Sequence, residues 1–338
     1  MKKLLAVLLV LASLSLTACS STSPSGTTSE KKTDSKELIV YTGRKESTIK
    51  PVIDAFATKT GIKVTIKGGK TGGLINEIEQ EKTNPIADIF ISTAAGSVEA
   101  VSEKELFESY ISPGSDKIPS DQKSSKGTWT AISGRARVIL YNTNLVKDAP
   151  KSILELTDPK YKGKIAIAGT VERTTLSQLA YLINFMGEAK AKEFVENLKK
   201  NELKILPDNS DVRKGVASGE FALGITNSPN YYIAKQEGAP VGVVYPDQGE
   251  GQMGTLVNPN TASIVKGTKH MAEAKQFIDF MLSPEAQSLL NKDGYEIPVI
   301  PGADAGDVKT LADFRGAKIS QEKLGALEKK AQELFPGF

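Results

Sequence analysis

The 338-residue chain has one cysteine, Cys19, one histidine, His270, and one tryptophan, Trp129. A single thiol makes no internal disulfide, so the fold must rest on its own apolar core. So few soft ligands rule out a zinc site of the His/Cys type. The same scarcity, with no Gly-x-Ser-x-Gly elbow, removes the usual nucleophile–base pairs, and no enzyme is expected. The glycine-rich run Gly68 to Gly73 lacks the Gly-Lys-Ser/Thr ending of a phosphate-binding P-loop. The formal charge is only +3, two units of it from Lys2 and Lys3, which gives no field for a nucleic acid. Arginine is scarce too, at six residues against 37 lysines. No apolar run reaches the about twenty residues that a spanning helix needs.

What is present begins with Lys2-Lys3 and the apolar run Leu4 to Leu16, the size of a signal-peptide core. Leu16-Thr17-Ala18-Cys19 resembles the lipobox of bacterial lipoproteins. We therefore expect a signal peptide over 1–18, lipidation of Cys19, and a location in the cell envelope, lipid-anchored and facing the periplasm or exterior. Residues 19–36 are rich in Ser, Thr, Pro, Gly and Lys, with no apolar residue after the cysteine. Such a segment buries too little to offset its ordering entropy and reads as a flexible tether.

From Glu37 on, short β-rich runs alternate with amphipathic helical patterns. Leu38 to Tyr41 reads as a strand; Ile49, Val52, Ile53 and Phe56 then mark a helix that Gly61 stops. Ile62 to Ile66 and Ile89 to Ile91 are further strands, with Leu74, Ile75 and Ile78 on a helix between them. The alternation predicts an α/β fold with a parallel sheet. A second set follows, with strands at Arg137 to Tyr141, Lys164 to Ala168, Lys204 to Leu206, Phe221 to Thr226, Val241 to Tyr245 and Ala262 to Val265. Two such lobes place a ligand cleft between them, at the carboxyl ends of the strands. The loops there are Thr42 to Ser47, Gly68 to Gly73, Ser92 to Ser97, Gly169 to Thr175 and Asn227 to Tyr232. They are rich in small polar residues and hold Arg44 and Arg173. Helix N-termini joined by arginine suit an anionic ligand, although Gly, Ser and Thr are also ordinary turn and cap residues. Arg135 and Arg137 lie at the expected crossover between lobes. One of them should face the cleft and the other brace the hinge. Trp129 reads as packing, and His270 as a solvated surface residue.

Several motifs in one order carry a resemblance. They are Val40-Tyr-Thr-Gly-Arg44, Asn84-Pro-Ile-Ala-Asp88, Ser133-Gly-Arg-Ala-Arg-Val138, Leu156-Thr-Asp-Pro159 and Gly219-Glu220. Between about Glu37 and about Leu290 the chain resembles the ferric-iron-binding proteins of bacterial ABC importers. The resemblance implies a two-lobed periplasmic-binding-protein fold of type II, its cleft between lobes joined by crossover strands. Lobe 1 would comprise 37–133 plus about 262–300, and lobe 2 would comprise 134–261 plus about 301–338. It also implies a monomeric receptor that delivers its solute to a permease and ATPase complex by hinge closure. Tyr231 and Tyr232 would be the metal ligands, since hard Fe(III) prefers oxygen donors. No cofactor is expected; Fe(III) with a synergistic anion would be cargo. Lys45 stands where the family often has His, and Thr93 where it often has Glu. Those departures leave a small organic anion, a phosphonate or sugar phosphate, as the alternative cargo. The expected ligand-binding residues are Tyr41, Arg44, Thr93, Arg135, Arg173, Asn227, Tyr231 and Tyr232.

Overall fold

The computed structural model describes residues 36–338; the expected signal peptide, Cys19 and the tether up to residue 35 lie outside them. In chain order the first elements are β1 (Glu37–Thr42), α1 (Glu46–Thr60), β2 (Lys63–Gly68), α2 (Thr71–Gln80), β3 (Ile89–Ser92) and α3 (Ala95–Glu99). β1 pairs in parallel with both β2 and β3. Alternation along β1 sorts its side chains. Leu38 and Val40 pack on α1 residues Ile49, Val52, Ile53 and Phe56. Tyr41 points to the opposite face, against Leu74, Ile75 and Ile78 of α2. Gly61 ends α1 in the left-handed region, φ 71°, and its N–H reaches the carbonyl of Ala57, the glycine stop that the sequence indicates.

The middle of the chain forms β4 (Thr130–Asn142), β5 (Ile165–Ala168), α4 (Arg173–Met186), α5 (Glu188–Lys200), β6 (Lys204–Leu206), α6 (Asn209–Ser218), β7 (Leu223–Asn227), α7 (Pro229–Gln236), β8 (Val241–Val244) and β9 (Val257–Ile264). The chain ends in α8 (Met271–Met281), α9 (Pro284–Gly294) and α10 (Gln321–Leu334). Ile139, Ile165, Ile167, Leu223 and Ile225 make a second core with Leu176 and Leu179 of α4 and with Leu324 and Ala331 of α10.

The two halves share one sheet of order β2-β1-β3-β9-β4-β7-β5-β6, with β8 also on β4. β4 joins them. Its first part runs antiparallel to β9 and its second part antiparallel to β7 and β8. The sheet is therefore mixed rather than parallel, because β4 and β9 cross between halves instead of returning through helices. Both crossovers are longer than their apolar runs suggest. Ser133-Gly-Arg-Ala-Arg137 and Asn258-Pro-Asn-Thr261 hold little apolar surface, yet they sit buried within β4 and β9. Their ladder is irregular, with a shift in register between Ala131 and Ser133 and with Pro259, which has no N–H, opposite Gly134. A strand pair weakened in this way is suited to bending.

Candidate ligand-binding site

Five loops converge on one cavity of about 510 Å³. They run from β1 to α1, β2 to α2, β3 to α3, β5 to α4 and β7 to α7, and the start of α6 joins them. Close approach is built in at Gly43, where a Cβ would sit 2.3 Å from the Thr71 hydroxyl. That hydroxyl bonds the Thr93 hydroxyl at 2.9 Å, tying two of the loops together. Helix N-termini face the space, which favours negative charge.

The lining carries Arg44, Lys45, Lys70, Arg135 and Arg173, with Glu46, Glu172, Asp208 and Asp293. Depth distinguishes these groups better than number. Glu46, Asp293, Lys45 and Lys70 are exposed at the rim. Lys45 reaches across to the Ser210 hydroxyl at 2.7 Å, and Lys70 pairs with Glu172. Asp208 is occupied in capping α6, accepting from the N–H groups of Ser210 and Asp211. Burial alone would raise its pKa, but those two donors hold it below the usual carboxylate range.

Arg135 lies deepest, only 5% exposed. One Nη donates to the Thr93 carbonyl, and its Nε finds no partner among the described residues. Burial, with Arg44 nearby, pulls its pKa down to about 9 despite Glu296 and Glu172. Arg44 differs in having a counter-ion. It pairs with buried Glu296, which also accepts from Ser133 and Asn260 on the crossover strands. Arg173 lies over Gly72, whose missing Cβ leaves its guanidinium room. Arg137 is equally buried but is braced by Asn209, Asn227 and Thr175 rather than facing the cavity.

Of the residues expected from sequence, Arg44, Thr93, Arg135, Arg173 and Asn227 line this cavity. Three do not. Tyr41 is corrected to a structural role: its hydroxyl donates to Glu81 at 2.9 Å on the far face of the sheet, where strand alternation sends it. Tyr231 and Tyr232 also turn away, because on α7 the cavity is faced by Pro229, Asn230 and Ile233, and the two positions between them project elsewhere. Tyr232 is buried, its hydroxyl accepting from the Lys309 N–H at 3.0 Å and lying 3.5 Å from that of Tyr245. Tyr231 packs edge-on against Tyr232. Burial followed by the Tyr232 hydrogen bond pushes the Tyr245 phenol well above its ordinary value. In this arrangement neither expected iron ligand reaches the cavity.

His270 is half-buried and bonds Asp88 at 3.0 Å, so it is a local partner rather than a free surface group. Trp129 is packed, as expected, with its indole N–H on Glu99. The sequence reading missed Glu172, Asp208 to Ser210 and Gly294. Asp208 could have been found as an N-cap three residues before Asp211. Among the described residues no three His, Cys, Asp or Glu side chains gather as a metal site. No described helix is long and apolar enough to cross a membrane.

Residues 84–315 match the family model for the bacterial extracellular solute-binding proteins. The chain is 31% identical to the iron uptake protein A1 of Synechocystis sp., over 94% of this chain and 90% of that protein. Its fold superposes on iron-bound HitA of Pseudomonas aeruginosa with TM-score 0.81 and 28% identity, covering 88% of this chain and 97% of that one. The Trichodesmium IdiA (FutA) protein in complex with iron and citrate ligands gives TM-score 0.76 and 28% identity, over 88% and 98%. The two halves with their intervening cavity are thus the lobes and cleft of a type II periplasmic binding protein. This chain belongs to the bacterial extracellular solute-binding proteins.

Proposed function

We propose that this protein is the solute receptor of an ABC importer, and that its cargo is ferric iron accompanied by a small oxygen-rich anion. The iron-related names of the relatives support the metal. The iron-and-citrate complex of a similar fold supports the pairing with an anion. The single observation that carries the anion is Arg135, a guanidinium buried at the cavity floor with no carboxylate bonded to it among the described residues. A buried charge left unpaired costs several kcal/mol, and an anion that accepts two of its N–H groups removes that cost. Cys19 and the tether then keep the receptor near its permease, and closure of the lobes about β4 and β9 presents the loaded form.

The phenols that turn away from the cavity favour a second reading, in which the organic anion itself, a phosphonate or sugar phosphate, is the cargo. Thermal unfolding with ferric citrate, citrate alone and glucose 6-phosphate separates the two. Ferric citrate at about a hundred times its Kd should add about 2.7 kcal/mol of stability and exceed citrate alone. Equal shifts with and without iron, and no metal retained after desalting, would move the cargo to the anion. No shift with any of the three would remove the receptor reading.

A further inference from the structure

Behind Arg173 lies a carboxylate that the cleft itself does not expose. Glu328 of α10 is 2% exposed and sits between the two lobes. From α3 the Ser97 hydroxyl approaches it at 3.3 Å, and from α4 the Ser177 hydroxyl at 3.1 Å. Among the described residues its one facing cation is Arg173, whose Nη1 lies 3.7 Å from Oε2, an ion pair too long for a hydrogen bond. The other charged groups on these elements are paired elsewhere or exposed, Glu322, Lys323 and Glu333 of α10 among the exposed ones. Glu99 of α3 accepts from Trp129, Lys330 of α10 pairs with Glu188 at 3.2 Å, and Lys329 is exposed.

The partner chemistry is asymmetric. A serine hydroxyl donates to a carboxylate and equally accepts from a carboxylic acid, whereas a guanidinium only donates. Protonated Glu328 therefore keeps Ser97 and Ser177 and releases Arg173 alone. We propose that Glu328 is the proton-linked counter-charge of Arg173: an anion entering the cleft takes over the guanidinium, and the Glu328 carboxylate takes up one proton from solvent. This inference rests on the anion-receptor reading. Burial holds the Glu328 carboxyl up to about 7, with Arg173, Ser177 and Ser97 opposing it, so the exchange falls within the physiological range. The one histidine stays bonded to Asp88, apart from this pair.

The sign follows from reciprocity: an anion that raises the proton affinity of Glu328 must itself bind more tightly as pH falls. The probe is oxalate, which does not change charge between about pH 6 and about pH 8, titrated by calorimetry into the wild-type protein and into Glu328→Gln. Wild-type affinity should fall about fivefold over that range, a coupling at the low end of the usual size. Glu328→Gln should show no slope and match the low-pH wild type. Calorimetry of the wild type in two buffers of different ionisation enthalpy should show proton uptake on binding near neutral pH, which decides the matter even if the variant fails to fold. An equal slope in both proteins, or no proton uptake, overturns the linkage and leaves the receptor standing. No oxalate binding to the wild type at any pH overturns the anion-receptor reading and the linkage together.

Discussion

Two arginines of the cleft look alike in sequence but differ in what they cost. Arg44 is matched by Glu296, whereas Arg135 is buried with a backbone carbonyl as its only hydrogen-bond partner among the described residues. Removing the unmatched one should relieve desolvation while abolishing an anion contact. Arg135→Gln should weaken anion binding about a hundredfold, the scale of a lost charge-assisted pair, while leaving ligand-free stability unchanged or improved. Calorimetric titration and urea unfolding test both halves, and a loss of stability beyond about 1 kcal/mol would contradict the account. Glu328 makes a second prediction. Its folded-state pKa, about 7, is raised above the unfolded value of about 4.3. The folded form therefore holds the proton more tightly, and the benefit is complete below about pH 4. It fades as pH rises and is gone above about 7, amounting to about 4 kcal/mol in all. Urea unfolding across this range should show that decline in the wild type, and Glu328→Gln should lack it. Neither effect could be weighed from sequence, where Glu328 is one acidic residue on a charged helix and Arg135 one of two in a crossover.

At the scale of elements, α10 packs on both lobes, and two glycines set how closely. A Cβ on Gly325 would lie 2.7 Å from the carbonyl of Gly96 and 2.9 Å from the N of Ala100, both backbone. A Cβ on Gly96 would meet mainly the Glu328 carboxylate, at 2.9 Å, the end of a side chain rather than backbone. Gly325→Ala should therefore destabilise by about 2 kcal/mol, and Gly96→Ala by clearly less, in thermal or urea unfolding. Equal costs would mean that the backbone contact is not limiting. α10 escaped the sequence reading although Leu324, Leu327, Ala331 and Leu334 stand at helical spacing, because Gly325 and six charged residues dilute its apolar pattern. α1 was legible because four apolar residues at helical spacing end at a glycine. The crossover strands failed in the opposite direction. Their cores are made of Ser, Asn, Thr and Arg, and a pattern read from apolar alternation has nothing to follow there. The cavity-lining loops were legible as a set because each follows a recognisable strand. The facing of Tyr231 and Tyr232 was not, since it depends on the phase of a short helix starting at Pro229.

Closure belongs to the whole molecule, and magnitudes indicate what drives it. Protein-only links across the cleft include Lys45 to Ser210 and Lys70 to Glu172. The side chain of Lys70 is 57% exposed, and ion pairs at such sites contribute at most about 1 kcal/mol. A receptor held shut by links of that size would still open readily, so the closed population must depend on what the ligand contributes from both lobes. Arg44 and Arg135 line the cavity from the β1 loop and the crossover, and Arg173 lines it from the start of α4. An anion that bridges them supplies several charge-assisted contacts at once. Lys70→Met should consequently change anion affinity by less than about fivefold, and should leave ligand-induced compaction in solution scattering intact. Arg135→Gln and Arg173→Gln should each remove that compaction. If Lys70→Met removed it as well, closure would rest on the latch at the rim rather than on the ligand, and the order of these contributions would be reversed.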